Sequence, residues 1–138
     1  MNLKTDFIKK LRNSGLRPTK QRLKICEVLF DTEKTFHFTI NDLVKIIREK
    51  LSQKISLATV YNTIHAFKKK GYLKEISINS DKNYFDTNTS IHHHFYDEDT
   101  NELIDCDVNA IDSVNVKNNI TGKKINSVEV LIKVASDN

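Results

Sequence analysis

The stretch Ser56 to Gly71, SLATVYNTIHAFKKKG, constrains this chain more than any other. Ser56 suits an N-cap, because its hydroxyl can accept from an amide that the first helical turn leaves orphaned. Gly71 stands where a helix ends in a left-handed residue, and Lys68, Lys69 and Lys70 complement the negative end of the dipole. At roughly 100° per residue, Leu57, Val60, Ile64 and Phe67 fall on one stripe. The other side shows Ala58, Thr59, Asn62 and Ala66, with Tyr61 and Thr63 flanking. That face is short, uncharged and rich in hydrogen-bonding groups. Such side chains can approach base edges in a major groove, although taken alone the stretch reads first as an ordinary amphipathic surface helix.

The neighbouring segments favour the second reading. Leu3 to Asn13 has apolar residues at Leu3, Phe7, Ile8 and Leu11 and stops at Ser14-Gly15. Arg17-Pro18-Thr19 opens a second helix to about Phe30, with Leu23, Ile25, Cys26, Leu29 and Phe30 on its core side; proline costs nothing in a first turn. Thr39 and Asp42 form a capping box for a third helix, whose Ile40, Leu43, Val44, Ile47 and Leu51 face inward. A short link, Ser52 to Ile55, leads into the Ser56 helix. Beyond Gly71, Tyr72 to Ile78 and Asn83 to Asp86 flank a polar turn and predict a β-hairpin. Helices ending in a capped one that is polar outside, followed by a hairpin, describe a winged helix-turn-helix over residues 1–86. In that arrangement Ser56, Ala58, Thr59, Tyr61, Asn62 and Thr63 face DNA, and Arg17, Lys20 and Arg22 contact phosphates.

Charge supports a polyanion partner. Residues 1–86 hold 18 Lys+Arg against 9 Asp+Glu, whereas residues 87–138 hold 4 against 9. A basic front and an acidic back suggest a nucleic-acid module joined to something else. No run approaches the ~18 apolar residues of a membrane span and the N-terminus does not open a signal peptide, so a cytoplasmic protein is expected. Cys26 and Cys106 are too far apart to form a CxxC zinc site or a disulfide framework. Cys26 reads as a small buried apolar residue.

Thr87 to Ser90 is a polar connector and the expected hinge. Ile91 to Tyr96 and Glu102 to Val108 read as strands around a turn at Asp97 to Asn101. A brief helix is expected near Ala110 to Val116, and Ser127 to Val134 alternates as a strand. Three short strands bury little by themselves. They are expected to complete their core in a symmetric partner, which suits a reader of palindromic DNA. The fold class is therefore α+β: an N-terminal winged helix-turn-helix domain, then a small α/β dimerisation domain over residues 91–138.

Four of the five histidines can form a site. On a strand, His92 and His94 project to one face and His93 to the other. Asp86 lies just before that strand, Asp105 lies on the next, and His37 lies between the second and third helices. Imidazole with carboxylate suits Fe, Mn or Zn, and the absence of thiolate argues against a purely structural zinc knot. His65, on the Ser56 helix, reads as a DNA-facing or surface residue.

At these residues the chain resembles the ferric uptake regulator family over nearly its whole length. The matching pieces are LRPTKQR at 16–22, SLATVYNTI at 56–64, KNYFDTNTS at 82–90 and HHHFYDEDTNELID at 92–105. The resemblance implies a homodimeric, metal-responsive repressor of operator DNA, with a regulatory metal at His37, Asp86, His92, His94 and Asp105 and a base-contacting tyrosine at Tyr61. The chain departs from the family in three places. Asp97 replaces the first of the usual cysteines and no second pair follows Asp105, Asn62 replaces a common arginine, and the long acidic helix after Asp107 is missing. With the HHH run, these features look like the iron response regulator branch, which implies haem at His92, His93 and His94 and a role in iron homeostasis. A peroxide-, manganese- or zinc-responsive member of the family is the alternative. A non-haem metalloenzyme using two histidines with Asp105 as base is a remote one, and a winged helix used only for protein contacts is a third.

Overall fold

The computed structural model describes residues 2–51, 54–107 and 109–137. Ser52, Gln53 and Val108, together with the Leu51 side chain, lie outside the described residues, and with them parts of the expected link, strand and inward stripe. The chain divides into two compact units, Met1–Thr89 and Ser90–Asn138. Helices and small sheets coexist, an α+β arrangement.

The first unit runs α1 (Leu3–Asn13), α2 (Lys20–Phe30), β1 (His37–Phe38), α3 (Ile40–Leu51), α4 (Leu57–Lys70), β2 (Lys74–Asn79) and β3 (Lys82–Asp86). Local chemistry sets most of these bounds. Asn2, Thr19 and Ser56 each accept from an amide in the turn they cap. Thr39 and Asp42 cap reciprocally: the Thr39 amide donates to the Asp42 carboxylate at 3.2 Å and the Asp42 amide to the Thr39 hydroxyl at 3.1 Å. α4 ends in a Schellman turn. Gly71, at φ 92°, donates to the Lys68 carbonyl, and Tyr72 donates to that of Phe67. The Tyr72 and Phe67 rings then meet edge to face at 6.0 Å, the apolar contact that accompanies such an end.

The core of this unit joins Phe7 and Leu11 of α1, Ile25, Cys26 and Leu29 of α2, Leu43, Val44 and Ile47 of α3, and Val60, Ile64 and Phe67 of α4. Phe38 and Phe85 close it from the sheet, their rings stacked at 6.1 Å. Leu57, expected on the inward stripe, is instead 52% exposed. It is the first residue of α4, where the helix has yet to pass over the core that Val60 reaches.

The hairpin β2–β3 forms, and it gains a third strand that sequence reading missed: β1 pairs antiparallel with β3, giving the order β1-β3-β2. A two-residue strand carries no periodicity to detect. Its pairing places His37 opposite Asp86 and Phe38 opposite Phe85.

The second unit is a three-stranded sheet in the order β5-β4-β6, built from β4 (His94–Asp97), β5 (Glu102–Asp105) and β6 (Leu131–Val134). β5 runs antiparallel to β4, and β6 runs parallel to it. The turn between β4 and β5 is set by Asp97, whose carboxylate accepts from the amides of Asp99 and Thr100, and by Asn101 in the left-handed region at φ 60°. The Asp99 carboxylate accepts from both the hydroxyl and the amide of Ser136, which fastens the chain after β6 to this turn. Those bonds hold the Asp99 carboxyl below its ordinary pKa, the hydroxyl contributing most.

Several expectations fail here. The strands expected over Ile91 to Tyr96 and Glu102 to Val108 are regular only over His94–Asp97 and Glu102–Asp105. Residues 110–116 form no helix; Asp, Ser, Asn and two valines there are weak helix formers. The strand expected from Ser127 is regular only from Leu131, because its ladder is limited to the four residues of β4 that it can pair with. The unit also exposes much apolar surface, with Ile91 61% and Ile120 74% accessible.

Candidate metal centre and nucleic-acid interface

The sheet of the second unit gathers two imidazoles around one carboxylate. In the β4–β5 register His94 faces Asp105 directly. The Nε2 atoms of His94 and His92 lie 3.2 and 3.4 Å from the same Asp105 Oδ1, with the two rings 4.3 Å apart. His94 is buried and Asp105 is exposed. His94 opens β4, whereas His92 precedes the strand, where its ring is held beside that of His94.

Hydrogen bonds orient these rings. His92 Nδ1 lies 2.8 Å from the Ser90 carbonyl oxygen. A carbonyl can only accept, so Nδ1 carries a proton, and in the neutral ring Nε2 is then the atom able to bind a metal, the tautomer-fixing contact common behind metal-ligating histidines. His93 points elsewhere. Its Nδ1 accepts from the Val130 amide at 2.9 Å, while the Cys106 amide donates to its carbonyl at 2.9 Å. A neutral imidazole that accepts at Nδ1 is protonated at Nε2. His93 is therefore tied to the segment leading into β6.

The donor set fits a divalent ion. One ligand atom from each of His92, His94 and Asp105 can be chosen so that all lie within 4.8 Å of one another. Bonds of about 2.0–2.2 Å to nitrogen and oxygen would need only a modest contraction from there. Neither cysteine joins them; both are buried. Burial pushes the Cys26 thiol from 9.0 up to about 12, far from the thiolate that a metal requires.

In the first unit, Asp86 ends β3 and is 1% exposed. It sits opposite His37 on one side and Lys74 on the other. The Asn88 amide donates to its Oδ1 at 2.8 Å. Burial lowers the Lys74 amine from its ordinary pKa, and the Asp86 charge opposes that shift. Lys74 escaped sequence reading, because only the hairpin register brings it beside Asp86.

α4 presents Ala58, Tyr61 and Asn62 to solvent, with Tyr61 52% exposed. Ser56 and Thr59 share a hydroxyl–hydroxyl bond of 2.8 Å at the cap. Thr63, expected beside them, is fully buried, and its hydroxyl donates to the Thr59 carbonyl at 2.7 Å. Three residues beyond Val60, it has turned onto the core side, and bonding one turn back satisfies its hydroxyl without water. Thr63 therefore cannot face DNA. Arg17 and Lys20 are exposed, while Arg22 is half-buried and donates to the Arg17 carbonyl at 3.1 Å. A further basic group went unmarked in the sequence: Arg48 and Lys54 line one pocket with Gln21 and Ser56 at the start of α4.

Comparison with known proteins places this α+β chain among transcription regulators rather than enzymes. The ferric uptake regulator family model matches residues 13–133. The chain is 31% identical over 121 residues to the peroxide operon regulator of Bacillus subtilis (strain 168), covering 87% of this chain and 81% of that one. It is 33% identical over 111 residues to the ferric uptake regulation protein of Yersinia pestis, covering 80% and 74%. Its fold is similar to the solved ferric uptake regulator from Pseudomonas aeruginosa with manganese, at a TM-score of 0.66 and 21% identity, covering 96% of this chain and 98% of that one. The chain belongs to the ferric uptake regulator family. Membership sets aside the metalloenzyme alternative. Among the described residues no helix is long and apolar enough to cross a membrane.

Proposed function

We propose that this protein is a dimeric, cytoplasmic, metal-responsive repressor that binds operator DNA through a winged helix-turn-helix. Residues 1–86 read the duplex, 87–90 form the hinge, and 91–138 sense the metal and pair with a second copy. The convergence of His92 and His94 on one Asp105 oxygen carries the reading. A carboxylate flanked by two imidazoles, one with its tautomer fixed, is the donor chemistry of a divalent site. Such an ion supplies a charged centre to which ligands from separate segments can be bound at once.

His37 and Asp86 of the first unit complete the ligand set in this reading. Their support is residue type and resemblance to the family's regulatory site. Metal binding and duplex binding are coupled in this reading, so that binding one ligand changes affinity for the other. Exposed Ala58, Tyr61 and Asn62, with half-buried Thr59, meet base edges, while Arg17, Lys20 and the Ser56 cap meet phosphates. The exposed apolar surface of the second unit supports pairing with another copy.

The signal is a divalent ion, Fe, Mn or Zn, with iron homeostasis as the regulated process. Haem is the weaker candidate because His93, the middle of the histidine run, has its Nδ1 engaged by Val130. A peroxide response is the second reading, favoured by the 31% identity to the peroxide operon regulator.

The test is duplex binding, with and without Mn(II), by wild type and His94→Ala. The duplex is one recovered by selection from a random-sequence pool. Metal should tighten binding by wild type and not by the variant; equal affinities in all four measurements would end the proposal.

A further inference from the structure

We propose that His65 is a positioning residue that holds the Tyr61 ring ready to contact a base. The inference rests on the reading of α4 as the DNA-contacting helix. Tyr61 is the exposed aromatic side chain of α4, and its ring lies against the imidazole of His65 with centroids 4.2 Å apart and planes tilted by 48°. The two residues are four apart on one helix, and helical side chains lean toward the N-terminus, so His65 folds back over the turn that carries Tyr61.

His65 is itself braced. The Phe85 ring meets it edge-on at 5.8 Å and 87°. Phe85 is 2% exposed, lies in the apolar core and stacks on Phe38. The sequence Tyr61, His65, Phe85, Phe38 is thus a continuous run of ring contacts, from an exposed helix face into the buried interior of the same unit. An exposed tyrosine without such support samples its allowed rotamers and must give up that freedom on binding. With His65 packed on one side, much of that ordering is completed before the duplex arrives, and pre-organisation of this kind raises affinity for the contacted site.

Backbone phosphate contacts do not depend on the Tyr61 rotamer. The effect should therefore fall on sequence preference rather than on overall grip.

The experiment uses the full chain with Mn(II). Its probes are the duplex recovered by selection from a random-sequence pool and a scrambled duplex of equal length. His65→Ala should weaken binding to the selected duplex by about three- to tenfold. Affinity for the scrambled duplex, the salt slope and the melting temperature should stay unchanged. His65→Phe, which keeps a planar ring, should restore the preference. In a Tyr61→Ala background His65→Ala should cost nothing further, and in the free protein His65→Ala alone should move the Tyr61 ring resonances in aromatic NMR spectra. A selective wild type whose preference survives His65→Ala, or an equal loss with and without Tyr61, overturns this inference alone. Failure of selection to recover any preferred duplex overturns the DNA reading, and this inference with it.

Discussion

His37 stands directly opposite Asp86 in the pairing of β1 with β3. A strand of two residues thereby delivers an imidazole from the loop before α3 to the end of a hairpin, beside a carboxylate that is almost fully buried. Burying a carboxylate is costly unless hydrogen bonds and nearby positive charge compensate. Asn88 supplies a hydrogen bond, and the Lys74 charge lies across the ladder.

Metal addition should stabilise the wild-type chain. An ion bound only by the folded state at 100 times its Kd contributes about 2.7 kcal/mol, which a thermal melt with and without Mn(II) will register. His94→Ala and Asp105→Asn should abolish the shift. Their Mn(II) affinity in titration calorimetry should drop by more than the ~10–100-fold typical of losing a residue that only supports a ligand.

Lys20→Ala and Arg22→Ala should behave differently. Lys20 is exposed on the first turn of α2, so its loss should lower duplex affinity uniformly across sequences and reduce the salt slope by about 1. Arg22 also donates to the Arg17 carbonyl. Its removal should lower the urea midpoint of unfolding as well, by about 1 kcal/mol in stability.

Gly71→Ala tests conformation in isolation. A Cβ added at Gly71 meets nothing within 4 Å, yet φ is +92°. Strain alone should therefore destabilise the chain, by about 1–2 kcal/mol. Gly71→Asn, which tolerates the left-handed region better, should cost less. Urea denaturation distinguishes the two.

Cys26 predicts a loss of stability at alkaline pH. Burial raises its folded-state pKa from 9.0 to about 12. Below the lower value the thiol is protonated in both the folded and the unfolded chain, so its contribution is intact there. As pH rises toward the upper value the unfolded thiol ionises first, and stability falls. Urea midpoints at about pH 8 and about pH 10 should differ more in wild type than in Cys26→Ala. The same burial should keep Cys26 unreactive toward an aromatic disulfide reagent until the chain unfolds.

Thr39 and Asp42 cap α3 as a unit, each accepting from the other's amide. Thr39→Ala should cost about 1 kcal/mol. Asp42→Ala should cost somewhat less, and the double variant less than the sum, because each single change already breaks the reciprocal pair. Chemical denaturation of the three variants measures the coupling.

The sequence by itself determined what depends on near neighbours along the chain. Caps at Thr39 and Ser56, the glycine ending α4, and the inward stripe of Val60, Ile64 and Phe67 all follow from interactions within a few residues. The tertiary structure decided what depends on register between distant segments. It supplied strand β1 and the partner it gives Asp86, brought Asp105 beneath two imidazoles, and turned His93 to the Val130 amide. It also buried Thr63 on a helix flank where periodicity alone allowed either side, and left 110–116 without a helix. Those outcomes are set by which surfaces pack and which strands pair, and short-range propensity carries no information about either.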